Sequence, residues 1–169
     1  MALWAELLEQ AEFLANGGTG SPTQAGLRRS VSTAYYALFH FLTGEAAERL
    51  LPFHAPSLSA AMQRSFEHRI MKEACRDFAN GAATPALKPL IVTPVEPELL
   101  EMARVFLNLQ VARQSADYDV LHSIAQIEAK DFARSVHDVV EGWRRVASSP
   151  NTSVFVARLA GLIGRRKSE

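Results

Sequence analysis

Apolar residues recur at three- and four-residue steps along most of this chain and do not alternate with polar ones as they would in a half-buried strand. The pattern predicts helices throughout and an all-α fold. A first amphipathic stretch runs from 3 to 15 and ends at Asn16-Gly17-Gly18, a strong helix stop. After the loop Gly20-Ser21-Pro22-Thr23, a long second helix is expected over 24–50. Its core face is Leu27, Val31, Ala34, Tyr35, Leu38 and Leu42, with Pro52 and Pro56 stopping it. A third helix is expected from Ser59 to Ala79, closed by Asn80-Gly81.

Four prolines between 82 and 97 rule out a strand ladder and predict an extended crossover. A fourth helix, 98–113, is apolar on most sides and so is a candidate central helix. Gln114 to His122 reads as a non-periodic break. Ser123 with Gln126 three residues on has the form of a capping box and opens a fifth helix to Val146. Its core stripe is Phe132, Val136, Val139, Val140, Trp143 and Val146. Ser148-Ser149-Pro150-Asn151 reads as a linker and 152–163 as a short amphipathic helix. The expected architecture is an antiparallel up-and-down bundle of four to five helices over 1–147. Residues 148–169 follow as a linker, a short helical extension and a basic tail.

Composition narrows the function classes. Lys plus Arg number 18 and Asp plus Glu number 18, so no net field draws the chain onto nucleic acid or membrane, and any such contact needs a local patch. Arg165, Arg166 and Lys167 form one, for which a solubilising terminus is the simpler explanation. Cys75 is the single cysteine, which excludes an intramolecular disulfide. It sits among Phe66, Ile70, Met71 and Phe78 at helical spacing and is expected to be a buried structural thiol. No run is long and apolar enough to span a bilayer, and the first residues lack a signal-peptide pattern. A cytoplasmic protein without membrane contact is expected, and no metal or cofactor is predicted.

Two stretches carry chemistry. On the second helix Arg29, Tyr36 and His40 are seven and four positions apart, which places them within roughly 40° of one another. Ser32 and Thr33 border the strip, which taken alone reads as a solvated face. The second stretch is Arg113-Gln114-Ser115-Ala116-Asp117-Tyr118-Asp119. Arg113 follows Phe106, Leu109 and Gln110 at helical steps, so it points to an apolar side and needs a partner. Asp117 and Asp119 are the nearest candidates. His68 lies off the Phe66/Ile70 stripe, in a solvated or groove-facing position. His122 falls in the break before the fifth helix, and His137 belongs to a solvated face with Lys130, Arg134, Glu141 and Arg144.

The run Leu27-Arg28-Arg29-Ser30-Val31-Ser32-Thr33-Ala34-Tyr35-Tyr36-Ala37-Leu38-Phe39-His40 resembles the signature helix of the HEPN family, the higher eukaryote and prokaryote nucleotide-binding domains. The double tyrosine followed by Ala, an apolar residue, Phe and His is the specific part. His68 and Arg113-x-x-x-Asp117-Tyr118 follow in the family's order, so the likeness covers about residues 24–145. The small stand-alone bacterial members look most similar.

The resemblance implies a helical bundle, a homodimer, and a role around RNA or nucleotides in toxin–antitoxin or defence systems, often beside a nucleotidyltransferase partner. It implies a groove lined by Arg29, Tyr36, His40, His68, Arg113, Asp117 and Tyr118. His40, His68 and Arg113 would be the catalytic candidates of a metal-independent endoribonuclease. The others would bind ligand. Family ribonucleases use a closely spaced Arg and His. Here eight residues separate Arg113 from His122, Arg134 is three positions before His137, and Arg49 and His54 straddle Pro52. The spacing therefore points to binding, by a divergent or inactive ribonuclease, ahead of cleavage. A non-catalytic dimeric module that binds a partner protein is the other class of reading.

Overall fold

The computed structural model describes residues 2–51 and 55–164. Pro52, His54, Arg165, Arg166 and Lys167 lie outside them. The described chain is all-helical, as the periodicity predicts, with α1 (Leu3–Ala15), α2 (Gln24–Leu50), α3 (Pro56–Arg64), α4 (His68–Ala79), α5 (Pro97–Tyr118), α6 (Gln126–Val146) and α7 (Pro150–Leu159). It forms two compact units, Met1–Phe41 with Val105–Glu141, and Leu42–Arg104 with Gly142–Glu169. None of its helices is long and apolar enough to cross a membrane.

In the first unit α1 and the first part of α2 run antiparallel. Trp4 packs edge-on against Phe41, ring centroids 5.2 Å apart, and the Ser30 hydroxyl donates to the Ala11 carbonyl at 2.7 Å. The turn between them requires glycine at 17. Its φ is +96°, and a Cβ there would lie 2.4 Å from the Gly20 carbonyl oxygen. Where α1 ends and α2 begins, Ala15, Leu27 and Val31 bury against Ala116, Ile124 and Ala129. Polar ties lock this end. Gln24 exchanges two hydrogen bonds with the backbone of Ile124, and the Gln126 amide donates to the Ala15 carbonyl at 3.0 Å.

All six expected core positions of α2 are buried, and so are Ser30, Ser32 and Thr33. The helix is thus covered on more sides than one amphipathic stripe requires. Several helix boundaries differ from the periodic reading: the last helix is Pro150–Leu159 in place of 152–163, α3 starts at Pro56, and three further differences have a cause in the packing. The fourth helix does not stop at Arg113 but runs on through Tyr118, because Ala116 packs into the core and Arg113 pairs with Asp117 one turn on. The expected third helix is broken at 65–67 into α3 and α4, where the Ser65 hydroxyl bonds back to the Met62 carbonyl and Phe66 turns into the interior. Ser123 is exposed and α6 starts at Gln126, whose amide reaches α1 and not a capping box.

The second unit packs α7 on α4. Phe78 and Phe155 meet with centroids 4.6 Å apart, and Trp143 lies 6.2 Å from Phe155. The Trp143 indole donates to Glu45 at 2.7 Å. Arg158, 4% exposed, is neutralised by Asp77 at 2.9 Å, which a buried guanidinium needs. The expected linker at 148–151 caps the last helix. Ser149 accepts from the Asn151 N–H, and Pro150 fills the first turn. Asn151 also holds both backbone groups of Val92, tying the proline-rich crossover to α7. Burial pushes the Glu96 carboxyl up, but hydrogen bonds from Ser149 and Asn151 outweigh it and hold the group below its ordinary range. Cys75 is fully buried and its thiol pushed far up, which leaves it inert as a nucleophile.

Phe155 is the packing centre of this unit, so Phe155→Ala is expected to cost about 3–5 kcal/mol, read as a lower midpoint in urea denaturation. An exposed control, Ser153→Ala, should leave the midpoint in place.

Candidate functional site

The polar strip of α2 and the Arg113 element of α5 belong to the same unit, and one cluster joins them. Arg113 lies over two aromatic faces, its Cζ 5.5 Å from the Tyr35 ring centroid and 5.2 Å from that of Tyr36. At these distances the ring quadrupoles attract the cation. The two rings meet edge to face at 5.4 Å, so Tyr35, fully buried, props half-buried Tyr36. The Arg113 Nε donates to Asp117 Oδ2 at 3.1 Å. The other carboxylate oxygen accepts the Ser32 hydroxyl. Ser32, Asp117, Arg113 and the tyrosine pair thus form one chain of contacts across α2 and α5.

This arrangement leaves part of the guanidinium unused. Among the described residues, Nε to Asp117 is the hydrogen bond that Arg113 makes, and its side chain keeps 21% of its surface accessible. The Nη edge of the fork is therefore held in a set orientation without a protein acceptor. Such an edge suits a planar or tetrahedral oxyanion, which it meets bidentately. Asp117 outcompetes Asp119 as the partner, since Asp119 turns back to accept the N–H groups of Leu121 and His122.

His40 lies one turn beyond Tyr36, its ring edge-on to Phe39 at 5.6 Å. It is half-buried, and that burial lowers its pKa below the ordinary 6.5. The imidazole is therefore neutral at pH 7, able to donate from one nitrogen and accept at the other.

The remaining candidates are placed differently. Arg29 is exposed on α2. Tyr118, the last residue of α5, is 74% exposed. His68 belongs to the second unit, exposed at the first position of α4. His122 is exposed, and His137 is exposed beside Asp138. Among the described residues, no three His, Cys, Asp or Glu side chains gather in a way that could hold a metal ion.

Arg28 has a structural role that the sequence reading did not assign. Its guanidinium donates to the carbonyls of Ala116, Val120 and His122 and so fastens the turn that follows Asp117. The only available signal was its place beside Arg29 in the signature run. Gln110, on the same side of α5 as Arg113, is another polar residue in the interior.

The lowered His40 pKa makes a signed prediction. Between its folded value and the unfolded one near 6.5, the unfolded chain binds more protons. Stability from this residue is therefore complete above about pH 7 and falls as the pH drops through 6.5. Thermal melts of the wild type against His40→Gln should diverge above pH 7 relative to pH 5. A pH-independent difference between the two would contradict the assignment. Comparisons with protein-family models, with curated proteins and with solved structures find no match for this chain.

Proposed function

We propose that the chain is a HEPN-like RNA- or nucleotide-binding protein, with Arg113 as its phosphate-binding residue. The observation that carries this reading is the Arg113 fork, stacked on Tyr35 and Tyr36 and tied through Nε to Asp117, with its Nη edge unused. Here Ser32 and Asp117 orient it before any ligand arrives, which lowers the entropic cost of binding. Arg29, on the same side of α2, supplies a second cation for a neighbouring phosphate. Tyr36 and neutral His40 add an aromatic face and hydrogen-bonding capacity next to it.

Cleavage is the weaker part of the resemblance. Attack by the ribose 2′-OH needs a base beside the reacting phosphate and a cation on the developing charge. Arg113 meets the second need. His40 is neutral and suits the first, but it lies on α2, outside the closely spaced Arg–His arrangement of the family ribonucleases. Binding is the function these residues support directly.

A protein-partner role is favoured by a separate observation. Between 111 and 127 the chain exposes Val111, Tyr118, Val120, Leu121 and Ile127, the middle three at 74%, 86% and 92%. Exposed apolar side chains in such number fit an interface, either with a second copy in a homodimer or with a nucleotidyltransferase-like partner. Sedimentation of the wild type beside Leu121→Asp would show a dimer that the substitution dissociates.

The binding reading is tested by anisotropy with a labelled single-stranded RNA. Arg113→Ala should weaken binding by about tenfold or more, the loss of a charge-assisted bidentate contact, and flatten the dependence on salt. Arg113→Lys keeps the charge but loses the fork and should recover little. Equal affinity of wild type and Arg113→Ala would sink the proposal. RNA cut by the wild type and left whole by Arg113→Ala would raise it to a ribonuclease.

A further inference from the structure

Phe106, Gln110, Arg113 and Asp117 follow one another on α5 by steps of four, three and four residues, which bring them to one side of the helix. Three of them are seen against α2, Asp117 through the Ser32 hydroxyl. Phe106 packs on Tyr35 with ring centroids 5.5 Å apart, and Arg113 lies over Tyr35 and Tyr36. Gln110, one turn from each, therefore faces the same side of α2. It is 7% exposed, and its Oε1 is buried without a hydrogen-bond donor among the described residues.

That oxygen is a cost to the fold. A buried acceptor gives up its water without replacement, whereas leucine of similar bulk would lose nothing. The chain keeps a carboxamide where packing alone favours an apolar side chain, one turn from a guanidinium with an unused edge. Buried polar groups left unsatisfied in the free protein call for an explanation, and a ligand that supplies the missing donor is one.

Resting on the RNA-binding reading above, we propose that Gln110 is the base-reading residue of this site. Its Oε1 accepts an N–H from a nucleobase while its amino group donates to the acceptor next to it, as Arg113 holds the phosphate. A carboxamide meets a base edge in this two-point way; phosphate has no donor to offer, and the ribose is present in the abasic strand used as the control below. The terminal torsion of glutamine is soft, so the group turns toward the ligand without disturbing the helix.

The test separates base from backbone. Anisotropy is measured with a labelled single-stranded oligoribonucleotide and with its abasic counterpart of equal length. The wild type is expected to favour the base-bearing strand by roughly three- to tenfold. Gln110→Leu should lose most of that ratio, bind the abasic strand as before, and melt at a higher temperature than the wild type. Gln110→Glu, which replaces the amino donor with an acceptor, should lose the ratio too and serves if the leucine variant fails to fold. Discrimination kept in these variants, while Arg113→Ala weakens both strands, would overturn the role of Gln110 alone. If the wild type binds neither strand, or Arg113→Ala changes neither, the phosphate-binding reading falls and this one with it.

Discussion

The first unit is organised around one cation. Arg113 has a guanidinium that must be neutralised where it sits, and Asp117, one helical turn on, is placed to do so. That pairing keeps α5 helical to Tyr118, and it presents the second carboxylate oxygen to Ser32 of α2. The tyrosine pair closes the other side of the fork. Helix length, the α2–α5 register near the site and the orientation of the unused Nη edge all follow from satisfying one charge. Removing the carboxylate would leave an unpaired cation among aromatic rings, a larger penalty than the pair's own net contribution.

The same logic explains why the site is both structural and suited to a ligand. A structural network alone is at its best when every donor and acceptor is matched. Here two groups on one side of α5 are not, the outer edge of Arg113 and the Oε1 of Gln110. His40, nearby on α2, is kept neutral by burial and so does not compete as a second fixed charge. In the second unit Arg158 is more deeply buried and is held by Asp77 at 2.9 Å, and its Nη1 is likewise without a hydrogen-bond partner among the described residues.

Most of the fold was legible in the sequence, because helices are specified locally. The bounds of α1 and α2 follow from Asn16-Gly17-Gly18 and from the spacing of Leu27 through Leu42, and each expected core residue of α2 is buried. Where boundaries differ, a contact made far along the chain decided. Asp117 and Tyr118 carry no apolar period, so the end of α5 depends on Arg113 and on Ala116 packing with Leu27 and Val31. The break at 65–67 depends on Phe66 turning inward.

The site was half legible. Periodicity alone placed Arg29, Tyr36 and His40 on one strip and required a partner for Arg113. Only tertiary structure chose Asp117 over Asp119, brought Ser32 into the network, left Arg29 and Tyr118 in solvent, and showed that Arg28 fastens the following turn. The reason is physical. A side chain's direction on a helix is a property of its position in the sequence. Which charge it meets, and whether water still reaches it, depends on how helices distant in sequence pack together.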